Sequence, residues 1–127
     1  MSQWWPSFDD VQEWCADRGY VARDWGLLSA AIGRALTTVG GVEVYPTLWD
    51  KAAATLDSIE RSHPFIDGNK RVGFLVTVLV LRGNGIDDSF VSDDEWYDLI
   101  MTAASSHLDV AELAQRLRDL VGGAPGA

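Results

Sequence analysis

The segment "VGFLVTVLVL", Val72 to Leu81, most limits what this chain can fold into. Its ten residues carry no charge, and they amount to about half of the ~20 apolar residues that a membrane-spanning helix requires. The run therefore reads as a helix enclosed by protein in the middle of a small domain. A chain of 127 residues has room for one such centre, since a chain of this size buries roughly two-thirds of its unfolded surface. We expect one domain over residues 1–127, with 1–6 and 121–127 frayed, because the tail "GGAPGA" has nothing to bury.

The other helices follow from spacing and caps. Ser7 precedes Phe8, Val11, Trp14 and Cys15 on one helical face, with Asp9 and Asp10 in the first turn and Gly19 as the stop. Asp24 caps a second helix through Leu27, Leu28, Ala31, Ile32 and Ala35. The period then changes: "TTVGGVEVY" sets two glycines between β-branched residues, the pattern of a short hairpin, and Pro46 closes it. From Thr47 to Ser62 Leu48, Ala52, Leu56 and Ile59 mark one side of a helix, with Asp50, Asp57 and Glu60 on polar faces. "RGNG" ends the buried helix, Ser92 with Glu95 forms a capping box for the next, and Asp109 with Glu112 starts the last. The fold class is all-α, about six helices around a buried central helix, with a short β-hairpin flap inserted between the second and third.

Charge and cysteine content narrow the function. With 19 acidic and 10 basic residues the formal charge is −9, which argues against coating nucleic acid or docking on anionic lipid, so neither is expected as a direct partner. The single cysteine, Cys15, permits no internal disulfide and suits a reducing compartment, and the start "MSQWWPSFDD" lacks the order of a secretory signal. Cytoplasmic localisation is the expectation.

Against that acidic background, "HPFIDGNKR", His63 to Arg71, gathers one of two histidines, one of two lysines, an arginine, a carboxylate, an amide and a glycine. Pro64 biases His63 away from helical dihedrals, so the motif opens as a loop, and helix resumes near Asn69 or Lys70. The amides of Gly68, Asn69, Lys70 and Arg71 then lie at a helix start, where N–H groups lack intrahelical partners and phosphate binds. Gly68 leaves the backbone open to an anion, Lys70 and Arg71 add charge, and Asp67 is placed to reach a divalent cation carried on a polyphosphate. His63 is the candidate general base, and Phe65 with Ile66 anchors the loop in the core. Phosphoryl or nucleotidyl transfer needs mainly positioning and charge stabilisation, which these groups supply. Each residue also has a plain structural use, as a cap, a turn or a solvated pair; the joint occurrence on one loop favours a site. His107 lacks such neighbours and is read as structural. No G-x-x-x-x-G-K-[ST] loop, protein-kinase glycine-rich loop or zinc pattern is present.

The nine residues resemble the Fic/Doc signature H-x-F-x-[D/E/N]-[G/A]-N-[G/K]-R. "RDWGLLSAAIGRA", the hairpin at Gly40-Gly41 and "LRGNG" extend the similarity over about Val11 to Leu120. Lys70 in place of a second glycine, and Phe74 where adenylylating members carry another arginine, are similar to the Doc branch, small toxins that act as kinases. The resemblance implies that His63 deprotonates a serine or threonine hydroxyl on a target protein, that Asp67 holds Mg2+, and that Gly68, Asn69, Lys70 and Arg71 bind the phosphates of ATP. A reversed nucleotide, its γ-phosphoryl toward the acceptor, follows from the Lys70 side chain crowding the loop. For Doc-type toxins the target is elongation factor Tu. No glutamate is followed by glycine or asparagine, so the self-inhibiting helix of larger Fic proteins is not matched, and a cognate antitoxin docking in a groove near the site is implied. The tryptophans are candidates for lining that groove or for packing the core. Adenylylation by the same residues, and an inactive binding module on the same fold, are the alternatives.

Overall fold

A computed structural model describes residues 3–105 and 108–122. The helices are α1 (Phe8–Asp17), α2 (Trp25–Arg34), α3 (Leu48–Ser62), α4 (Asn69–Gly83), α5 (Asp93–Ser105) and α6 (Val110–Leu117), and a π-helical turn, Arg118–Gly122, follows the last. Between α2 and α3 lie strands β1 (Thr38–Val39) and β2 (Val42–Glu43), paired antiparallel with Val39 opposite Val42. Gly40 and Gly41 form the two-residue turn, at φ of 57° and 80°, conformations that glycine adopts without steric cost. The architecture is the all-α one expected, hairpin included.

The anticipated caps are present. Ser7 Oγ accepts from Asp10 N, Asp24 Oδ1 from Gly26 N, and Asp109 Oδ1 from Glu112 N. Ser92 and Glu95 exchange both bonds of a capping box. A further box, Thr47 with Asp50, starts α3. Each satisfies backbone donors that a helix start leaves orphaned.

The centre is a helix pair. Leu56, Ala52 and Ala53 of α3 join Val78, Val80 and Leu81 of α4 in a cluster completed by Trp96, Leu99 and Ile100 of α5 and Leu113 and Leu117 of α6. On the other side, Ile59 of α3 and Val72 and Val76 of α4 pack with Val11 and Cys15 of α1 and Leu28, Ala31 and Ile32 of α2. The apolar run of α4 is thus central, yet α3 is enclosed as fully: Lys51 through Asp57 are all buried, and α3 packs on α2, α4, α5 and α6. Alanines at 52, 53 and 54 let its neighbours approach closely. Consequently the acids Asp57 and Glu60, expected on polar faces, lie inside the domain. No helix among the described residues is long and apolar enough to cross a membrane.

The first residues are held more firmly than expected. Trp4 N donates to Asn84 Oδ1 at 2.8 Å, Asn84 Nδ2 returns a bond to Trp4 O at 2.9 Å, and Pro6 is buried. The Trp4 indole lies over Gly83, where a Cβ would overlap it. Trp5 donates its ring N–H to Ile32 O at 3.0 Å. At the other end Val121 is 1% exposed, packed in the α5–α6 cluster. Burial of these apolar groups holds residues 4–6 and Val121 against the domain. Residues 1–2 and 123–127, and His107 between α5 and α6, lie outside the described residues.

Candidate active site

The loop from His63 to Gly68 connects the end of α3 to the start of α4. His63 is the C-cap of α3 and has a left-handed backbone, φ 52° and ψ 67°, the only non-glycine positive φ among the described residues. A residue with a side chain held there stores strain, and such strain is found where the surroundings over-determine it. The surroundings are visible. Arg23, just before α2, donates from Nη2 to Ser62 O at 2.6 Å and from Nε to His63 O at 2.9 Å. The N–H groups of Arg23 and Asp24 both donate to Pro64 O, at 2.8 and 3.1 Å, and Ile66 N donates to Val21 O at 3.0 Å. Val21 to Asp24 forms a strap across the loop, with Ala22 and Phe65 paired as an isolated antiparallel bridge.

That bridge turns successive side chains to opposite sides. Phe65 points in, 1% exposed, with its ring edge-on to Tyr20 and Trp25 at centroid distances of 6.0 and 5.6 Å. Ile66 points out at 70% exposure, which corrects its expected role as a core anchor. The second anchor is Asn69. Its Oδ1 accepts from Phe65 N and its Nδ2 donates to Phe65 O, both at 2.9 Å, so the amide side chain is occupied in closing the loop.

Gly68 has φ 87°, and a Cβ there would fall 2.7 Å from Cε1 of Tyr20. Glycine is thus required by the ring beneath it as well as by the backbone turn. Asp67 Oδ1 accepts from Gly68 N at 2.8 Å. The N–H groups of Asn69, Lys70 and Arg71 form no hydrogen bond among the described residues; the first bond of the helix runs from Val72 N to Gly68 O at 2.8 Å. Three uncommitted amides at the positive end of a fifteen-residue helix make a cradle for an anion.

The side chains of His63, Lys70 and Arg71 are exposed and take no hydrogen bond or ion pair within the described residues. The structure therefore brings His63, Asp67, Gly68, Lys70 and Arg71 to one short loop and helix start, with Asn69 holding it from behind. Next to it, between α4 and α5, is a cleft of about 520 Å³ lined by Lys70, Arg71, Phe74, Trp96, Tyr97 and Met101, with Asp93 and Asp94 at its α5 end. Phe74 packs edge-on against Trp96 at 5.4 Å. Trp96 is the one tryptophan that lines this cleft; Trp14 lines a separate apolar groove between α1 and α4, and Trp5, Trp25 and Trp49 pack against the cores.

A resident metal cage is not built here: no group of three or more metal-binding side chains occurs among the described residues. The lone Asp67 carboxylate fits instead a magnesium ion that arrives on a polyphosphate, since Mg2+ commonly takes one or two protein carboxylates and fills the rest with phosphate oxygens and water.

Two parts of the site gave no local sign in the sequence. Arg23 acts on carbonyls 39 and 40 residues away, a distance no spacing rule reaches. Glu60, one turn before His63 on α3, is 2% exposed, and its Oε2 has no hydrogen-bond partner. The carboxylate packs against Gly73 of α4, where a Cβ would overlap it. Burial pushes the Glu60 carboxyl up to about 8, with the Lys70 ammonium pulling the other way.

Fold and loop together define a small helical domain whose central helix pair presents an H-P-F-x-D-G-N-K-R connection beside a hairpin. The chain belongs to the Fic/DOC family, whose model matches residues 7–81. Toxin Doc of Mycolicibacterium smegmatis is 43% identical over 96 residues, covering 75% of this chain and 74% of the relative. Protein kinase doc of Escherichia phage P1 is 35% identical over 101 residues, covering 80% and 78%.

Proposed function

We propose that this protein is a Doc-like toxin, a protein kinase that transfers the γ-phosphoryl of Mg-ATP to a serine or threonine hydroxyl of a translation factor, with elongation factor Tu the candidate by family resemblance. His63 takes the hydroxyl proton as the hydroxyl oxygen attacks phosphorus and the bond to ADP breaks. The amides of Asn69, Lys70 and Arg71, with the Lys70 and Arg71 cations, hold the transferring phosphoryl, and Asp67 would hold the Mg2+ that neutralises the polyphosphate. Lys70 and Arg71 differ in use, a mobile point charge against a planar fork that grips two oxygens.

The observation that carries the kinase reading over adenylylation is the cleft beside Phe74. Adenylylation would place the distal phosphates along α4 past Arg71, where the wall is Phe74, Trp96, Tyr97 and Met101 and the acids Asp93 and Asp94 stand at the α5 end, with no cation beyond Lys70 and Arg71 in the lining. Such a wall offers a polyphosphate tail no further cation and suits a nucleoside, because ligand sites of ~300–1,000 Å³ lined by aromatic groups take flat apolar rings. A nucleotide with its ring system against Phe74 would direct its phosphates toward Lys70, Arg71 and the uncommitted amides that open α4.

The relatives' names, a toxin and a protein kinase, support the same reading. A cognate antitoxin follows from it, since a toxin needs restraint. Incubating the chain with γ-labelled and, separately, α-labelled ATP and a cell extract decides the question. Label from the γ position on a protein band, lost in His63→Ala, is the expected result. Label from the α position would establish adenylylation. Label from neither, with growth arrest intact in His63→Ala, would make the protein a binding module.

A further inference from the structure

Glu60 has no role in the mechanism above, yet its Oε2 is the one buried side-chain nitrogen or oxygen atom among the described residues without a hydrogen-bond partner. Burying a carboxylate without a partner is costly, and proteins tolerate it where the group is neutral or where it acts. Its position is specific. Gly73 lies one turn into α4, and the missing Cβ there is what lets the carboxyl sit beneath the helix start. Lys70, three residues earlier on α4, is the charged side chain acting on it. The other charges near it on α3 are spent: Asp57 accepts from Arg61 at 2.7 Å and from Arg34 of α2 at 2.9 Å. On α5, Asp93 and Asp94 line the cleft on the far side of Lys70 and Arg71.

We propose that Glu60 is a positioning residue for phosphate binding: ionised, it draws the Lys70 ammonium inward and cancels the positive start of α4, and protonated, it leaves both to the incoming polyanion. The inference rests on the reading of the Gly68–Arg71 segment as a phosphate site. Phosphate and the Glu60 charge compete for the same positive potential, so binding takes up a proton from solvent onto the carboxylate whenever that carboxylate is ionised. By linkage, the anion raises the titration midpoint of Glu60 by the factor with which protonation raises the affinity for the anion. The burial-raised midpoint of Glu60 sets this exchange near neutral to mildly alkaline pH.

Two measurements on the full chain test this. In the first, carbon-13 NMR follows the glutamate side-chain carboxyls between pH 5 and 10. Glu60 is expected to titrate well above the exposed glutamates, and its midpoint to rise further on addition of inorganic pyrophosphate and again in Lys70→Met. In the second, calorimetry measures Mg-ATP affinity for the wild type and Glu60→Gln. Wild-type affinity is expected to weaken about tenfold between pH 7 and 9.5, the scale of one unit charge acting through partly screened protein. Glu60→Gln is expected to bind with little pH dependence. Parallel pH profiles in the two proteins, or a Glu60 that titrates with the exposed carboxyls, would overturn the proposal. Should no nucleotide bind at any pH, the kinase reading fails, and the response of Glu60 to Lys70→Met decides the coupling by itself.

Discussion

Within the loop, neighbouring residues divide between holding and acting. Asn69 spends its amide on both polar groups of Phe65, while Lys70 and Arg71, the next two residues, spend nothing on the protein. Asn69→Ala should cost about 2 kcal/mol, because it strands a backbone N–H and C=O at a half-buried position. Lys70→Ala and Arg71→Ala should each stay within about 0.5 kcal/mol of wild type, as exposed substitutions do, and still abolish nucleotide binding. Urea denaturation and calorimetry on the three variants separate the two classes. In the sequence all three read as phosphate ligands. Residue type and spacing located the site, but the direction of the Asn69 amide depends on Phe65 folding back above it, a tertiary fact. Ile66 shows the same limit: its hydrophobicity suggested the interior, and the bridge to Ala22 turned it to solvent.

At the level of elements, the site is a connection between α3 and α4 pinned by a third segment, Val21 to Asp24. Arg23→Ala removes the two side-chain donors to Ser62 O and His63 O, leaving the His63 carbonyl held only through its neighbours' backbone bonds. Phosphate transfer should fall about tenfold or more, since a shift near 1 Å in a catalytic group costs up to about a hundredfold. Global stability should fall by only about 1–2 kcal/mol, the worth of charge-assisted bonds at an exposed position. Hydrogen exchange at Ile66, bonded to Val21, should quicken while the core of α4 is unchanged. Helix starts and the hairpin were legible beforehand because their signals are local: Ser92 with Glu95, Asp24, and the glycine pair at 40 and 41. The Arg23 strap was not, because its two ends lie 40 residues apart. The hairpin is likewise secured from a distance, by the buried Lys51 ammonium bonded to Tyr45 O and paired with Glu43, and by Arg34 Nε on Tyr45 Oη.

For the molecule as a whole, the buried Glu60 carboxyl of α3 contributes a pH response of its own. The folded chain keeps the Glu60 proton up to about pH 8, whereas the unfolded chain releases it near the ordinary 4.5. Between those values the folded state binds more protons, so this residue's contribution to stability is full below about 4.5 and is lost as pH rises through about 8. Glu60→Gln should therefore gain on wild type as pH increases, by on the order of a few kcal/mol at pH 9, measured by denaturation at several pH values. Helical spacing alone put Asp57 and Glu60 outside, since acids on a helix flank ordinarily face water. It failed because α3 has neighbours on all sides, which only assembly of the whole reveals.

The twisted main chain at His63 has an evolutionary corollary. After glycine, asparagine is the usual residue in a left-handed helix C-cap, so His63→Asn should raise the denaturation midpoint, by up to about 1 kcal/mol, and on the proposed function end phosphate transfer. On the proposed function, the imidazole stands there for its chemistry, at a backbone position that folding alone would give to another residue.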